Sequence, residues 1–342
     1  MSYSKLIDPL EKLVRERGAL TLVDCHRHLD TAGTLTDQDM AFLATNPSLR
    51  QKWTYIDTKK REKTYIDGMP DRIDEQIRNM RRQGVAACRT YCPVDSTVGM
   101  HVLEAMLEAK AKWQWHGFYL QIAAYPFLGV SNATERQLLS RAMERADLLG
   151  CLPSRGRINE YDWETSHRNM KDLFSIAFEH DKPIDLQIDQ DNDPSERETR
   201  ELLEVAYAFR RRGYDKGINA THCISLGAYN RADWPTRIVL LYNMRQLNIS
   251  VVVCPSAARD MLQRSDKDAP IHNSIAPWLL LLGHGITVGM GADNVHDIYG
   301  RLNNGDLFEE ARQMVGAVRY QGSLEVVADI MTVNGRKILG LE

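Results

Sequence analysis

Residues 26–28 read His-Arg-His at the end of the apolar run LTLVDCHRH. Two imidazoles one residue apart could clamp a metal ion, or could be two rings beside a turn. Side chains at i and i+2 of a β-strand share one side, so His26 and His28 converge on a common point if the run is a strand. Other runs also end on residues able to do chemistry: Gln187 and Gln190 in PIDLQIDQ, His222 in INATHCI and Asp293 in ITVGMGAD. Two histidines and a carboxylate suit a divalent first-row metal, which lowers the pKa of bound water toward neutrality. These residues are scattered over most of the chain, so the chemistry depends on a fold that gathers strand ends.

The elements that could gather them alternate along the sequence. Short runs rich in β-branched and apolar residues occupy 20–26, 85–91, 118–126, 147–153, 183–190, 218–224, 249–255 and 286–293. Between them lie amphipathic segments such as HVLEAMLEAKAKW, ATERQLLSRAMERA and SERETRELLEVAYAFRRRG, the last closing on Gly213 after basic residues. Eight βα units predict a (β/α)8 TIM-type barrel, whose active site lies at the C-terminal strand ends; a doubly wound open sheet is the alternative. Only a closed barrel brings the first, fifth, sixth and eighth strand ends around one mouth. Residues 30–70, with the aromatic and basic segment KWTYIDTKKREKTYID, form an excursion after the first strand, read as a lid over the mouth or as a structural insertion.

Composition sets the outer bounds. The 342 residues are 43% hydrophobic and 26% charged with a net charge of −3, which gives a globular core and no electrostatic footprint for nucleic acid. One barrel domain over 1–342 accommodates this length. The N-terminal segment carries Leu6, Leu10 and Leu13 at helical spacing with charges between them, unlike a secretory signal, and no run suits a membrane span. A cytoplasmic protein with a small-molecule substrate is expected, with homo-oligomerisation open. The six cysteines fall in or beside strand runs, as buried free thiols do. No GxGxxG or GxxxxGK[ST] phosphate cradle is present.

HRHLDT after the first strand, CRTYCPVD on the second, THCISLGAYN on the sixth, VVVCPSA on the seventh and GITVGMGADNVHD on the eighth resemble the amidohydrolase superfamily, and within it the cytosine-deaminase-like branch. The resemblance runs from about residue 20 onward. It implies a distorted (β/α)8 barrel with one divalent metal, zinc or iron, held by His26, His28, a strand-five residue and Asp293, with the strand-six His222 beside the activated water. It also implies hydrolysis of a C–N bond in a nitrogen-rich or heterocyclic substrate, with Asp293 as general base and acid and His222 stabilising the oxyanion. The accessory β-sandwich of many relatives is not expected.

The chain departs from the family pattern on the fifth strand. HxxE is replaced by QIDQ, putting Gln187 at the ligand position and Gln190 at that of the proton-shuttling glutamate. An amide oxygen is a weaker ligand than imidazole for zinc or iron, and an amide does not titrate near neutral pH. Tyr91 stands where cytosine deaminases have histidine, and Phe127 where a pyrimidine-reading glutamine is expected, which argues against cytosine as substrate. Gln190, Tyr91, Phe127, Asn294 and His296 are the expected substrate contacts, and Trp53, Tyr55, Tyr65 and Tyr299 are candidates for an aromatic wall. Asp189, Asp191 and Asp193 read as a solvated or capping acidic run. His101, His116, His167, His180, His272 and His284 read as surface or packing residues. A metal-independent hydrolase or lyase at the same mouth, and a catalytically silent ligand-binding barrel, are the alternative functions.

Overall fold

A computed structural model of the chain describes residues 8–18, 21–130, 132–157, 162–191, 193, 195–228, 234–260 and 275–341. His272 and Leu6 lie outside them. Eight strands run in chain order around one parallel sheet: β1 (Leu22–Arg27), β2 (Val85–Pro93), β3 (Tyr119–Tyr125), β4 (Leu148–Cys151), β5 (Ile184–Ile188), β6 (Ile218–His222), β7 (Ile249–Val253) and β8 (Val288–Met290). β8 returns to β1 through a parallel bridge between Arg27 and Asp293, where Asp293 N–H donates to the His26 carbonyl at 2.8 Å. This is the (β/α)8 barrel, and every strand among the described residues belongs to it.

The strands form because their residues are β-branched or apolar and are buried on both faces, inward against the barrel filling and outward against helices. The crossover helix Met69–Gln83 illustrates the outer layer. It buries Ile73, Ile77 and Met80 at helical spacing and stops at Gly84, whose φ of 95° supplies the left-handed cap. The helix Glu198–Arg211 ends as its sequence suggests, with Gly213 in the left-handed region just beyond.

Two glycines set the barrel geometry. A Cβ on Gly291 would lie 2.6 Å from the backbone nitrogen of His26, so only glycine lets the end of β8 close against β1. A Cβ on Gly150 would lie 2.9 Å from the Tyr91 ring, so β4 leaves room for that ring inside the barrel. Below the mouth, the buried Arg89 guanidinium reaches Asp185 at 2.7 Å, Gln121 at 2.8 Å and the Ile338 carbonyl at 2.8 Å. The helix Val333–Leu339 thus closes the far end of the barrel through a satisfied polar network.

The excursion after β1 folds as three helices, Asp37–Leu43, Leu49–Lys59 and Lys63–Asp67, before the crossover helix. Capping boxes at Thr36 with Asp39 and at Ser48 with Gln51 begin the first two. All six cysteines are buried and free. No helix among the described residues is long and apolar enough to cross a membrane.

Candidate active site

The strand ends place four of the expected residues around one point. His26 Nε2 and His28 Nε2 each lie 3.3 Å from Asp293 Oδ1, and His222 Nε2 lies 3.9 Å from Asp293 Oδ2. His222 Nε2 also faces Gln187 Oε1 at 3.4 Å. His26, His222 and Asp293 offer ligand atoms all within 4.8 Å of one another. Both ring nitrogens of His26, Oδ1 of Asp293 and Nε2 of Gln187 are buried without a hydrogen-bond partner, because the close approaches are poorly aligned for hydrogen bonds. Buried polar atoms are normally paired, so converging imidazoles and a carboxylate with open capacity fit a divalent cation, whereas the open atom of Gln187 is its amide nitrogen, a donor that does not ligate.

Backbone strain holds two of these groups in place. His222 has φ 76° and is followed by Cys223 at 51°, while Asp293 has φ 60°. Non-glycine residues pay to occupy this region and cluster there at functional sites. Burial alone would raise the Asp293 carboxyl, but the neighbouring imidazoles, His26 foremost, outweigh it and hold Asp293 well below the usual carboxylate range. Burial pushes His222 down to about 4, against the pull of Asp293, so its imidazole is neutral near pH 7. His28 is raised: its interaction with Asp293 overcomes the burial that would lower it.

Above these residues opens a cavity of about 690 Å³, counting its mouth. Gln187, Gln190, His222, Asp293, Asn294 and Phe127 line it, as do Trp53 and Tyr299 from the expected aromatic wall. Asn294 is fixed by donating to Asp297 at 2.6 Å and Thr31 at 3.2 Å. Tyr91 and His296 lie elsewhere. The Tyr91 ring packs beneath His26 at 4.5 Å between centroids, and its hydroxyl donates to the Asp185 carbonyl at 3.0 Å, so it supports the histidines from below. His296 is exposed on the loop after β8, where its carbonyl accepts from Leu35 N–H. Tyr55 stacks on Phe42, and Tyr65 donates to Asp30 at 2.7 Å, behind the wall.

The acidic run after β5 differs from the solvated reading. Asp189 and Asp193 are buried, and Asp189 accepts from Glu198 N–H at 3.0 Å and Thr199 N–H at 3.2 Å, capping the helix Glu198–Arg211 from across the loop. Burial, then the adjacent Glu198, pushes Asp189 up to about 7. Sequence reading also missed Asp30, Thr31, Lys52, Lys60 and Tyr125 as cavity residues. Helical spacing within KWTYIDTKK was the available signal, since Lys52, Trp53, Ile56 and Lys60 fall on one side of a helix.

The chain shares its eight-stranded parallel barrel with solved structures of a deaminase and an aminohydrolase. The 5-methylcytosine deaminase of Klebsiella pneumoniae, liganded with phosphonocytosine, matches with a TM-score of 0.79 at 24% identity, over 94% of this chain and 75% of the deaminase. N-isopropylammelide isopropyl amidohydrolase of Pseudomonas sp. (strain ADP) is 22% identical over 323 residues, 94% of this chain and 74% of that protein. An uncharacterised protein of Haemophilus influenzae is 29% identical over 255 residues, 75% of this chain and 88% of its own length. The first two are hydrolases of C–N bonds. No family model matches the chain.

Proposed function

We propose that the protein hydrolyses a C–N bond of a small nitrogen-rich heterocycle, in an amidohydrolase-like reaction at the mouth of the barrel. The carrying observation is the convergence of His26, His28 and Asp293, with unpartnered buried atoms on His26 and Asp293, at the closed seam between β1 and β8. In this reading the three residues hold a divalent metal, zinc or iron, and the Gln187 amide oxygen supplies a further, weaker donor. The metal, when bound, supplies Lewis acidity that brings the ionisation of water toward neutral pH.

The chain's own groups then divide the work. Asp293 is ionised and beside both histidines, so it accepts the proton of the attacking water and returns it to the leaving nitrogen. The neutral His222 imidazole donates from Nε2 to the oxygen on which negative charge develops. Gln190 cannot titrate and so orients substrate by hydrogen bonds, together with Asn294. This arrangement suits an amide, cyclic amide or amidine with a departing amine better than a reaction that first protonates a ring nitrogen, because that role belongs to a carboxyl the chain lacks at Gln190. The excursion helices form the outer wall.

Protein purified without chelator tests the reading. Near-stoichiometric zinc or iron, together with chelator-sensitive release of amine from N-substituted oxo-pyrimidines or oxo-triazines, supports it. Metal-free protein that is active and indifferent to chelator overturns it.

A further inference from the structure

The cavity wall holds a cation without a hydrogen-bonded counterion. Lys60 caps the helix Leu49–Lys59 and is only 3% exposed, and it lines the cavity. Its ammonium lies 4.1 Å from the centre of the Phe127 ring and 3.8 Å from Asp30 Oδ2, beyond hydrogen-bond reach. That Asp30 oxygen is already taken by the Tyr65 hydroxyl at 2.7 Å. Among the described residues no hydrogen bond satisfies the Lys60 ammonium, whereas its neighbours are spoken for. Lys59 pairs with Asp39, and Arg155 pairs with Asp57 at 2.6 Å while donating to the Phe127 carbonyl at 2.8 Å.

A nearly buried ammonium is costly unless something pairs it. Phe127 offers its ring face, a modest compensation, and Asp30 offers an attraction at a distance. The Tyr299 hydroxyl, buried on the same cavity wall, likewise has no partner. Lys52 adds a second cation to the lining. Asp260 and Asp297 act on Lys52, and Asp57, itself paired with Arg155, acts on Lys60 from a distance, so what this wall offers a ligand is the spare donors of the Lys60 ammonium and the Tyr299 hydroxyl.

We propose that the substrate is an anion, a flat heterocycle bearing a delocalised oxyanion that meets the Lys60 ammonium while its ring lies among Trp53, Tyr125 and Tyr299. The inference rests on the hydrolase reading for its orientation, with the scissile C–N bond toward Asp293, but concerns binding alone. Two kinds of group carry the required oxyanion on such a ring: an ionised cyclic imide and a ring carboxylate. Lys60 recognises either by the same charge-assisted hydrogen bond. The aromatic lining fits a flat ring in both cases.

Titration calorimetry with barbiturate, orotate and uracil tests this. Barbiturate is an ionised imide and orotate a ring carboxylate at neutral pH, while uracil is a neutral ring of the same size. At least one anion should bind about tenfold more tightly than uracil, a difference of ~1.4 kcal/mol. The preferred anion identifies the source of the oxyanion. Lys60→Gln should reduce the preference to within about threefold at nearly constant uracil affinity, and Lys60→Arg should keep most of it. Chelator-treated wild-type protein should keep the preference, since Lys60 and not the metal provides it. Equal or tighter uracil binding, binding of none of the three, or a preference that survives Lys60→Gln overturns the proposal. If Lys60→Gln does not fold, the chelated wild-type comparison decides. Metal content and amine release, measured on the same preparation, judge the hydrolase reading separately.

Discussion

In the proposed reaction Asp293 carries the heaviest demand of any single residue, because the ligand, base and acid roles assigned to it all pass through its carboxylate. Its φ of 60° is one that asparagine tolerates, so Asp293→Asn removes the charge and the base while leaving the backbone at ease. Turnover should fall by at least roughly 10²-fold with the fold intact, zinc affinity should fall with it, and Tm near neutral pH should drop because the support of the ionised carboxylate is lost. A variant that turns over at the wild-type rate would remove Asp293 from the mechanism. On the facing strand, Gln187→His replaces an amide with imidazole and should tighten zinc in a competitive chelator titration; unchanged affinity would place Gln187 outside the metal's reach. His26, His28, His222 and Asp293 were legible because a parallel barrel puts strand ends together whatever their distance in sequence. Lys60 was not, since it stands far into an excursion whose fold the strand pattern does not govern. Nor was the displacement of Tyr91, because a side chain's depth within the barrel depends on what faces it, here the space left by Gly150.

The elements that matter most are the two that meet at the seam. Each of the eight strands falls on a run expected from β-branched and apolar residues; β2 continues two residues past its run to Pro93 and β1 one residue to Arg27, while the other six are trimmed, β8 to Val288–Met290. Its last expected residues, 291–293, leave the regular ladder to close on β1, a departure set by one close contact and invisible in hydrophobic pattern. Gly291→Ala would drive a Cβ to 2.6 Å from His26 N and 2.7 Å from His26 Cβ. Relief requires the seam to open, and the expected cost is roughly 1–3 kcal/mol, with zinc affinity reduced because His26 moves. The fitting control is Gly283→Ala at the end of the helix Trp278–Gly283, where an added Cβ meets nothing within 4 Å. That change should be neutral or stabilise by up to about 1 kcal/mol in denaturant unfolding. Equal effects at the two sites would mean that the seam yields without strain. The excursion was recognised as a unit, yet the contribution of the helix Leu49–Lys59 to the cavity wall emerged only from the packing of its inner side.

Across the whole molecule, buried acids should set how stability varies with pH. Glu310 is 1% exposed and accepts from Ser256 N–H at 2.9 Å; burial, only partly offset by Ser256 and by Arg27, pushes its carboxyl up to about 8. Glu196 is raised well above its usual range by burial and by the carboxylates of Asp191, Asp189 and Glu198. A carboxyl whose pKa is raised by folding holds a proton that the unfolded chain releases, so it favours the fold below the unfolded value near 4.5. For Glu310 that contribution is lost as pH climbs from there through about 8. Asp293 acts in the opposite sense and in another window: its depressed carboxyl supports the fold above the unfolded value near 3.8, and that support is lost on acidification. Stability should therefore peak in mildly acidic solution and decline toward pH 9. Glu310→Gln keeps an acceptor for Ser256 N–H but cannot ionise. Its Tm should match wild type near pH 5 and exceed it by about 2–4 °C near pH 9, where wild type must either ionise a buried carboxyl or spend free energy keeping it protonated. Parallel Tm profiles for the two proteins across this range would show that Glu310 titrates as freely in the folded protein as in the unfolded chain.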